Sequence, residues 1–433
     1  MYSSLVLTLI ILLSLPCTLI ATNDPNQTPR PILVRISKDT STSLYTIPIK
    51  TGSRLVLDLG GPLLSSTCLA AHVNIPCRSS VCAAEIQENR WNCSSPSSTN
   101  TNGAGRSSSS LCSCSAYPYN PLDGRCARGD VTTTPMLANA TDGVNPLYPV
   151  AFPVHAACAP ASLLGGSLAS AGAVGVAGLS DSPLSLPSQV AASLGVARTF
   201  ALCLPGGSGT GAAIFGGGPF RLFSVAYTGI TSDLVSYFNI TRNARNGRIY
   251  IDVVGIAVNQ RGADVSPESL ALDAVGGRGG VMISTVAPYT VLRPDIYRAV
   301  IDAVDAELAF IPRMPASPPF ERCFDAWALG STRVGPPLSN VDFTLRHGGN
   351  LTFLGANTMV QVNERTLCFA FVEMGPTTPV IDGSPAVIIG GYQLENQLLV
   401  FDLEKGIMGS SGLLFWIRTT CSNFDFSWGI PRN

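Results

Sequence analysis

Apolar and polar residues alternate through PILVRISKDTSTSLYTIPI (31–49), and SRLVLDLGG (53–61) follows directly. Period-two alternation broken by polar turn residues predicts strands joined by a hairpin. Similar runs recur at GDVTTTPMLA (129–138), YPVAFPVHAACA (148–159), RTFALCL (198–204) and GAAIFGG (211–217). The second half repeats the style with RIYIDVVGIAVNQ (248–260), GVMISTVA (280–287), VDFTL, LTFLG, TMVQV, LCFAFVEM, AVIIGG and LLVFDLEKG (398–406). Helical spacing stands out in PDIYRAVIDAVDAEL (294–308), which a proline opens, and a shorter helix is expected in PSQVAASL (187–194). Residues 93–110, CSSPSSTNTNGAGRSSSS, read as a long exposed loop.

One landmark occurs twice. An apolar strand ends in Asp58-Leu59-Gly60-Gly61, and Gly178 of an apolar-Gly strand comes 120 residues after Asp58. In the second half a strand runs through Ser284, and Gly390 of Val387-Ile388-Ile389-Gly390 comes 106 residues later. This duplication predicts an all-β chain of two similar lobes with a cleft between them. The expected boundaries are 30–225 and 226–425, after a leader at 1–21.

Composition sharpens that picture. Only 13% of the 433 residues are charged, about half the usual share, alongside 42 Gly and 32 Pro. Strands and tight turns account for such a balance better than salt-bridged helices. The formal net charge is -1 and no run of basic residues occurs, which argues against nucleic acid and anionic membrane as partners. The apolar run Leu5–Leu15, closed by Pro16 and with a small residue at Ala21, reads as a secretory signal peptide. It is shorter than the ~20 apolar residues of a membrane span.

Thirteen cysteines are present. Without Cys17 of the leader, twelve remain: Cys68, Cys77, Cys82, Cys93, Cys112, Cys114, Cys126, Cys158, Cys203, Cys323, Cys368 and Cys421. An even number in a secreted chain predicts disulfides. Cys112 and Cys114 are the sole close pair and the three histidines are scattered, so no metal site is expected, and no cofactor either. Sequons stand at Asn26, Asn92, Asn139, Asn239 and Asn350, the expected glycosylation sites.

The carboxylate at Asp58 raises the question of acid–base chemistry. The chain resembles the pepsin-like aspartic proteases, in which each lobe donates one Asp from an Asp-Thr/Ser-Gly turn. Two such carboxylates share a proton because like charges ~3 Å apart cannot both ionise. Here Asp58-Leu59-Gly60 keeps the first Asp, whereas Ser284 falls in the second position, followed by Thr285 and Val286. Asp58 is then a turn residue retained for its backbone hydrogen bonds, and the expectation is that no catalytic residues are present. No HExxH, P-loop or clean GxSxG motif offers another mechanism. Tyr117-Pro118-Tyr119 falls where that family's flap tyrosine lies and is read as ordinary packing.

Within that superfamily the chain is most similar to the plant xylanase inhibitors of the wheat (TAXI) type, with the extracellular dermal glycoproteins and legume basic globulins as cousins. The resemblance rests on SLYTIPI, LVLDLGGPL, AYPYNPLDGRCARG, NATDG, AACAPASLL, GVAGL, AIFGGGP, STVAPYTVLRPDIY and GSTRVGPP. It implies a bilobal pepsin-like fold, six disulfides including Cys203–Cys421 and Cys323–Cys368, no proteolysis, and an apoplastic location; a monomer is expected. It further implies inhibition of microbial glycoside hydrolases, endo-xylanase above all, in plant defence. Leu329 matches one inhibitory contact of that family. The histidine that provides the other is absent from Leu414–Cys421, where Phe415, Trp416 and Arg418 stand as candidate contacts. Two alternatives remain open: a glycoprotein that binds a peptide or a glucanase, and an atypical aspartic endopeptidase.

Overall fold

The computed structural model describes residues 29–50, 52–83, 112–143, 145–221, 235–243, 247–273, 275–337, 340–375, 385–424 and 426. The expected leader, the loop expected at 93–110, Asn26, Asn92, Cys93 and the expected lobe boundary at 225 lie outside them. Strands dominate and helices are few and short, as the alternation predicts. The longest described helix is Pro294–Glu307, opened by Pro294 and burying Ile296, Tyr297, Val300, Ile301 and Val304 on one face. Leu186–Leu194 is helical and stops at Gly195 in the left-handed region, φ 66°. No described helix is long and apolar enough to cross a membrane.

Both lobes contribute to one antiparallel sheet. From the first half, Ile32–Lys38 pairs Thr210–Phe215, which pairs Thr199–Cys203. From the second, Gln397–Asp402 pairs Ile407–Leu413, which pairs Ser236–Arg242. The seam is the antiparallel pair Thr199–Cys203 with Gln397–Asp402. Phe200 and Phe401 stack across it with ring centroids 4.7 Å apart, and Cys203–Cys421 bridges its end.

Above the seam each half builds the same knot of strands. Ser53–Asp58 runs parallel to Ala173–Gly178, and Leu64–Ser66 returns antiparallel along its other side. In the second half Val281–Ile283 runs parallel to Val387–Ile389, with Thr290–Leu292 returning on the other side. The duplicated sequence landmark is therefore a duplicated structure. It also explains its glycines: a Cβ on Gly178 would lie 2.4 Å from the Gly61 carbonyl oxygen, and one on Gly390 would lie 2.2 Å from the Tyr289 carbonyl carbon. Only glycine lets the returning chain pass so close.

Candidate functional site

Each knot delivers its turn to the cleft. Asp58 ends one strand, and Leu179 N–H donates to its carbonyl at 2.9 Å. Ser284 follows Ile283, and its own N–H donates to the Ile389 carbonyl at 2.9 Å. Thr285 joins the two turns. Its hydroxyl donates to the Leu57 carbonyl at 2.6 Å and accepts from Leu59 N–H at 3.2 Å. Leu59 has no hydroxyl with which to return the contact, so the link runs one way.

The Asp58 side chain is fully buried, with 0% of its surface exposed. Oδ1 accepts from Gly60 N–H at 2.9 Å and lies 3.8 Å from Nη1 of Arg248. Oδ2 accepts from the Tyr119 hydroxyl at 2.5 Å. Tyr119 is thus more than the packing residue expected of a Tyr-Pro turn. Burial, and next the Asp58 charge, push its phenol well above the ordinary tyrosine range, which keeps it a donor. Arg248 precedes the strand Ile249–Ile251 and lies across the Asp58 turn. A Cβ on Gly60 would stand 2.6 Å from Nη1, so glycine there makes room for the guanidinium.

Ser284 is equally committed. Its Oγ accepts from Val286 N–H and Ala287 N–H, both at 3.2 Å, and so fastens its own turn. With Arg248, Pro121, Met282 and Ile388 it lines a cavity of about 160 Å³. Proton-sharing chemistry needs a second carboxylate facing the first. Among the described residues this cleft offers one carboxylate, closed from solvent, and a hydroxyl. Arg248 and Thr285 carry no motif of their own, and sequence reading missed both. The one local signal was the hydroxyl residue beside Ser284.

The expected contact residues lie elsewhere in the second lobe, and the structure separates them. Leu329 is 6% exposed and belongs to the core, which removes it from any contact surface. The cause is local: Ala326–Leu329 is a single turn, capped by Asp325 Oδ1 accepting from Trp327 N–H at 3.0 Å. That turn sends Leu329 inward and Trp327 outward, so that Trp327 is 73% exposed with the Arg365 guanidinium 5.1 Å from its ring centroid. Trp416, in the 3₁₀ turn Leu414–Ile417, is 62% exposed, whereas Phe415 is half-buried. Arg418 is exposed and left-handed, φ 59°.

Two adjacent grooves meet at Pro336. One, of about 570 Å³, is lined by Trp416, Asn259, Thr332 and Arg333. The other, of about 510 Å³, is lined by Trp327, Ser331, Glu364 and Tyr392. The loop 331–337 therefore runs between two exposed indoles.

Cys68 pairs with Cys158, Cys77 with Cys112, Cys82 with Cys114, and Cys323 with Cys368, and Cys126 is also disulfide-bonded. The pairings Cys203–Cys421 and Cys323–Cys368 are those implied by the resemblance. The described sequon asparagines Asn139, Asn239 and Asn350 are exposed.

The chain matches the family models described as xylanase inhibitor N-terminal, over residues 45–217, and xylanase inhibitor C-terminal, over residues 249–411. A protein of Oryza sativa subsp. japonica named chitinase CLP is 43% identical, with 92% of each chain covered. Probable aspartic proteinase GIP2 of Nicotiana benthamiana is 31% identical, again over 92% of each chain. Among solved structures, edgp superposes with a TM-score of 0.81 at 31% identity, covering 93% of this chain and 100% of that one. The fold is the bilobal pepsin-like one that the sequence led us to expect.

Proposed function

The chain belongs to the xylanase inhibitor family, and from that premise we propose that it is a secreted, proteolytically inactive inhibitor of microbial cell-wall-degrading glycoside hydrolases, endo-xylanase first among them. The observation that carries this reading is the closed Asp58 site. Its oxygens are taken by Gly60, Tyr119 and Arg248, and Ser284 holds the opposite turn. Binding rather than cutting is what such a cleft permits. The contact surface is the face around loop 331–337, with Trp327, Trp416 and Arg418 as its anchors. Exposed tryptophan and arginine are the usual centres of interface energy. The protein acts as a glycosylated monomer in the apoplast, and it needs no cofactor.

The name of the rice relative suggests a second reading, hydrolysis of a glycan by the chain itself. Glycoside hydrolysis commonly employs two carboxylates about 5–9.5 Å apart. Among the described residues the groove at Trp327 is lined by one, Glu364, and the groove at Trp416 by none. The inhibitor reading is therefore preferred.

Titration of the purified mature protein against a panel of fungal and bacterial endoxylanases tests it. Stoichiometric loss of xylanase activity is expected, weakened roughly 30-fold by Trp416→Ala, about 2 kcal/mol. Absence of both inhibition and complex on gel filtration would transfer the assignment to a glycoprotein with another partner. Turnover of chitin oligomers by the protein alone, or acid proteolysis, would overturn it in favour of an enzyme.

A further inference from the structure

The Cys68–Cys158 disulfide differs from the others described in having a histidine at its sulfur. His72 Nε2 lies 3.6 Å from Cys158 Sγ and 3.6 Å from Asp130 Oδ2. His72 Nδ1 lies 2.8 Å from the Leu69 carbonyl oxygen. A carbonyl only accepts, so Nδ1 carries a proton and Nε2 is the nitrogen that faces the sulfur. The ring is therefore held with Nε2 against a disulfide sulfur. The potential ligand atoms of Cys68, His72 and Cys158 all lie within 4.8 Å of one another, but the disulfide engages both sulfurs and so leaves them unavailable to a metal. The cluster is equipped for proton transfer to sulfur.

We propose that Cys68–Cys158 is a thiol-exchange site, opened by a dithiol protein of the thioredoxin class with His72 as the proton donor. A thiolate of that protein attacks Cys68 Sγ. The Sγ–Sγ bond breaks, and its electron pair leaves on Cys158 Sγ, which takes the proton from protonated His72 Nε2. The second thiol of the partner then attacks its own sulfur in the mixed disulfide and expels Cys68, which is protonated from solvent. Two electrons pass from the dithiol, now a disulfide, to Cys68 and Cys158, now two thiols. Attack at Cys68 leaves the sulfur beside His72 as the leaving group, and a protonated leaving group departs faster.

The surroundings suit a protein reductant. Cys68 and Cys158 are partly exposed, while Cys82, Cys114, Cys203, Cys421, Cys323 and Cys368 are buried. Leu69 and Val73 flank the site at 82% and 84% exposed, an apolar seat beside the sulfur under attack. The bond also governs something. It closes a stretch of 90 residues that contains Tyr119, the group covering Asp58, and it ties together the paired strand ends Ser66 and Cys158.

The structure supplies its own control in Cys77–Cys112, where Cys77 is partly exposed, Cys112 is exposed, and no histidine contact is described. The test is timed reduction of the full mature chain by thioredoxin, with differential alkylation and peptide mass spectrometry to follow each bond. Cys68–Cys158 is expected to open before Cys77–Cys112. His72→Gln is expected to slow it roughly tenfold and leave Cys77–Cys112 unchanged. A second variant, Leu69→Ser with Val73→Ser, is expected to slow opening by thioredoxin but not by dithiothreitol. Earlier opening of Cys77–Cys112, or indifference of Cys68–Cys158 to His72→Gln, would overturn the proposal. Equal effects of the double serine variant on both reductants would remove the protein partner from it.

Discussion

Asp58 and Arg248 come from different halves of the chain and are both buried, yet the sequence marks only one of them. An Asp before Gly-Gly at the end of an apolar strand is visible to inspection. An arginine that heads a strand 190 residues later is not, because its role depends on how two lobes are placed against each other. Breaking a buried ion pair leaves one charge without compensation. Arg248→Met should therefore cost about 3 kcal/mol or more in denaturant unfolding, and adding Asp58→Asn should return much of that loss. The same pair bears on catalysis. Ser284→Asp supplies the missing carboxylate but leaves Tyr119 and Arg248 on the first one, so acid proteolysis should remain undetectable in that variant. Pepstatin-sensitive cleavage by Ser284→Asp would show that the closure of Asp58 is not what silences the site.

The elements were more legible than the contacts between them. Pro294–Glu307 could be read from helical spacing and an opening proline, and the duplicated Gly landmarks announced the two knots of strands. Leu329 was misplaced because one helical turn separates inside from outside within two residues, and spacing along a four-residue element is too short to show which is which. The loop between Gly391–Leu394 and Gln397–Asp402 holds another contact that no local pattern reveals. Buried Glu395 accepts from Lys38 Nζ at 2.5 Å and from the Tyr45 hydroxyl at 2.7 Å, both from the first lobe. Burial raises the Glu395 carboxyl above its ordinary range, and this outweighs the pull of Lys38 in the other direction. A carboxyl raised on folding favours the native state while protonated. That contribution is full below the unfolded value near 4.5 and is lost as pH rises through the higher folded value. Between pH 4 and 7 the thermal midpoint of the natural chain should therefore fall relative to that of Glu395→Gln. A constant difference between the two across that range would show that Glu395 does not titrate there.

At the scale of the whole molecule, the lobes share backbone pairing rather than merely touching. Cys203–Cys421 closes a separation of 218 residues at the end of the seam. On a chain-entropy basis, replacing both cysteines by alanine should cost about 5 kcal/mol, read as a lower denaturant midpoint. The low charge and the abundance of glycine and proline announced the β architecture, but the seam could not be read locally, since RTFALCL and LLVFDLEKG look like any other buried strands.

The seam has a consequence for how the two halves could exist apart. Thr199–Cys203 and Gln397–Asp402 each satisfy one row of backbone amides and carbonyls on the other lobe. Split the chain between the halves, and each fragment presents an apolar edge strand of five or six residues unpaired along one side, a template for pairing with copies of itself. Such fragments made separately should aggregate. Made together, each is the other's missing strand, and the two should reassemble across the same five-residue register that joins them in the intact protein.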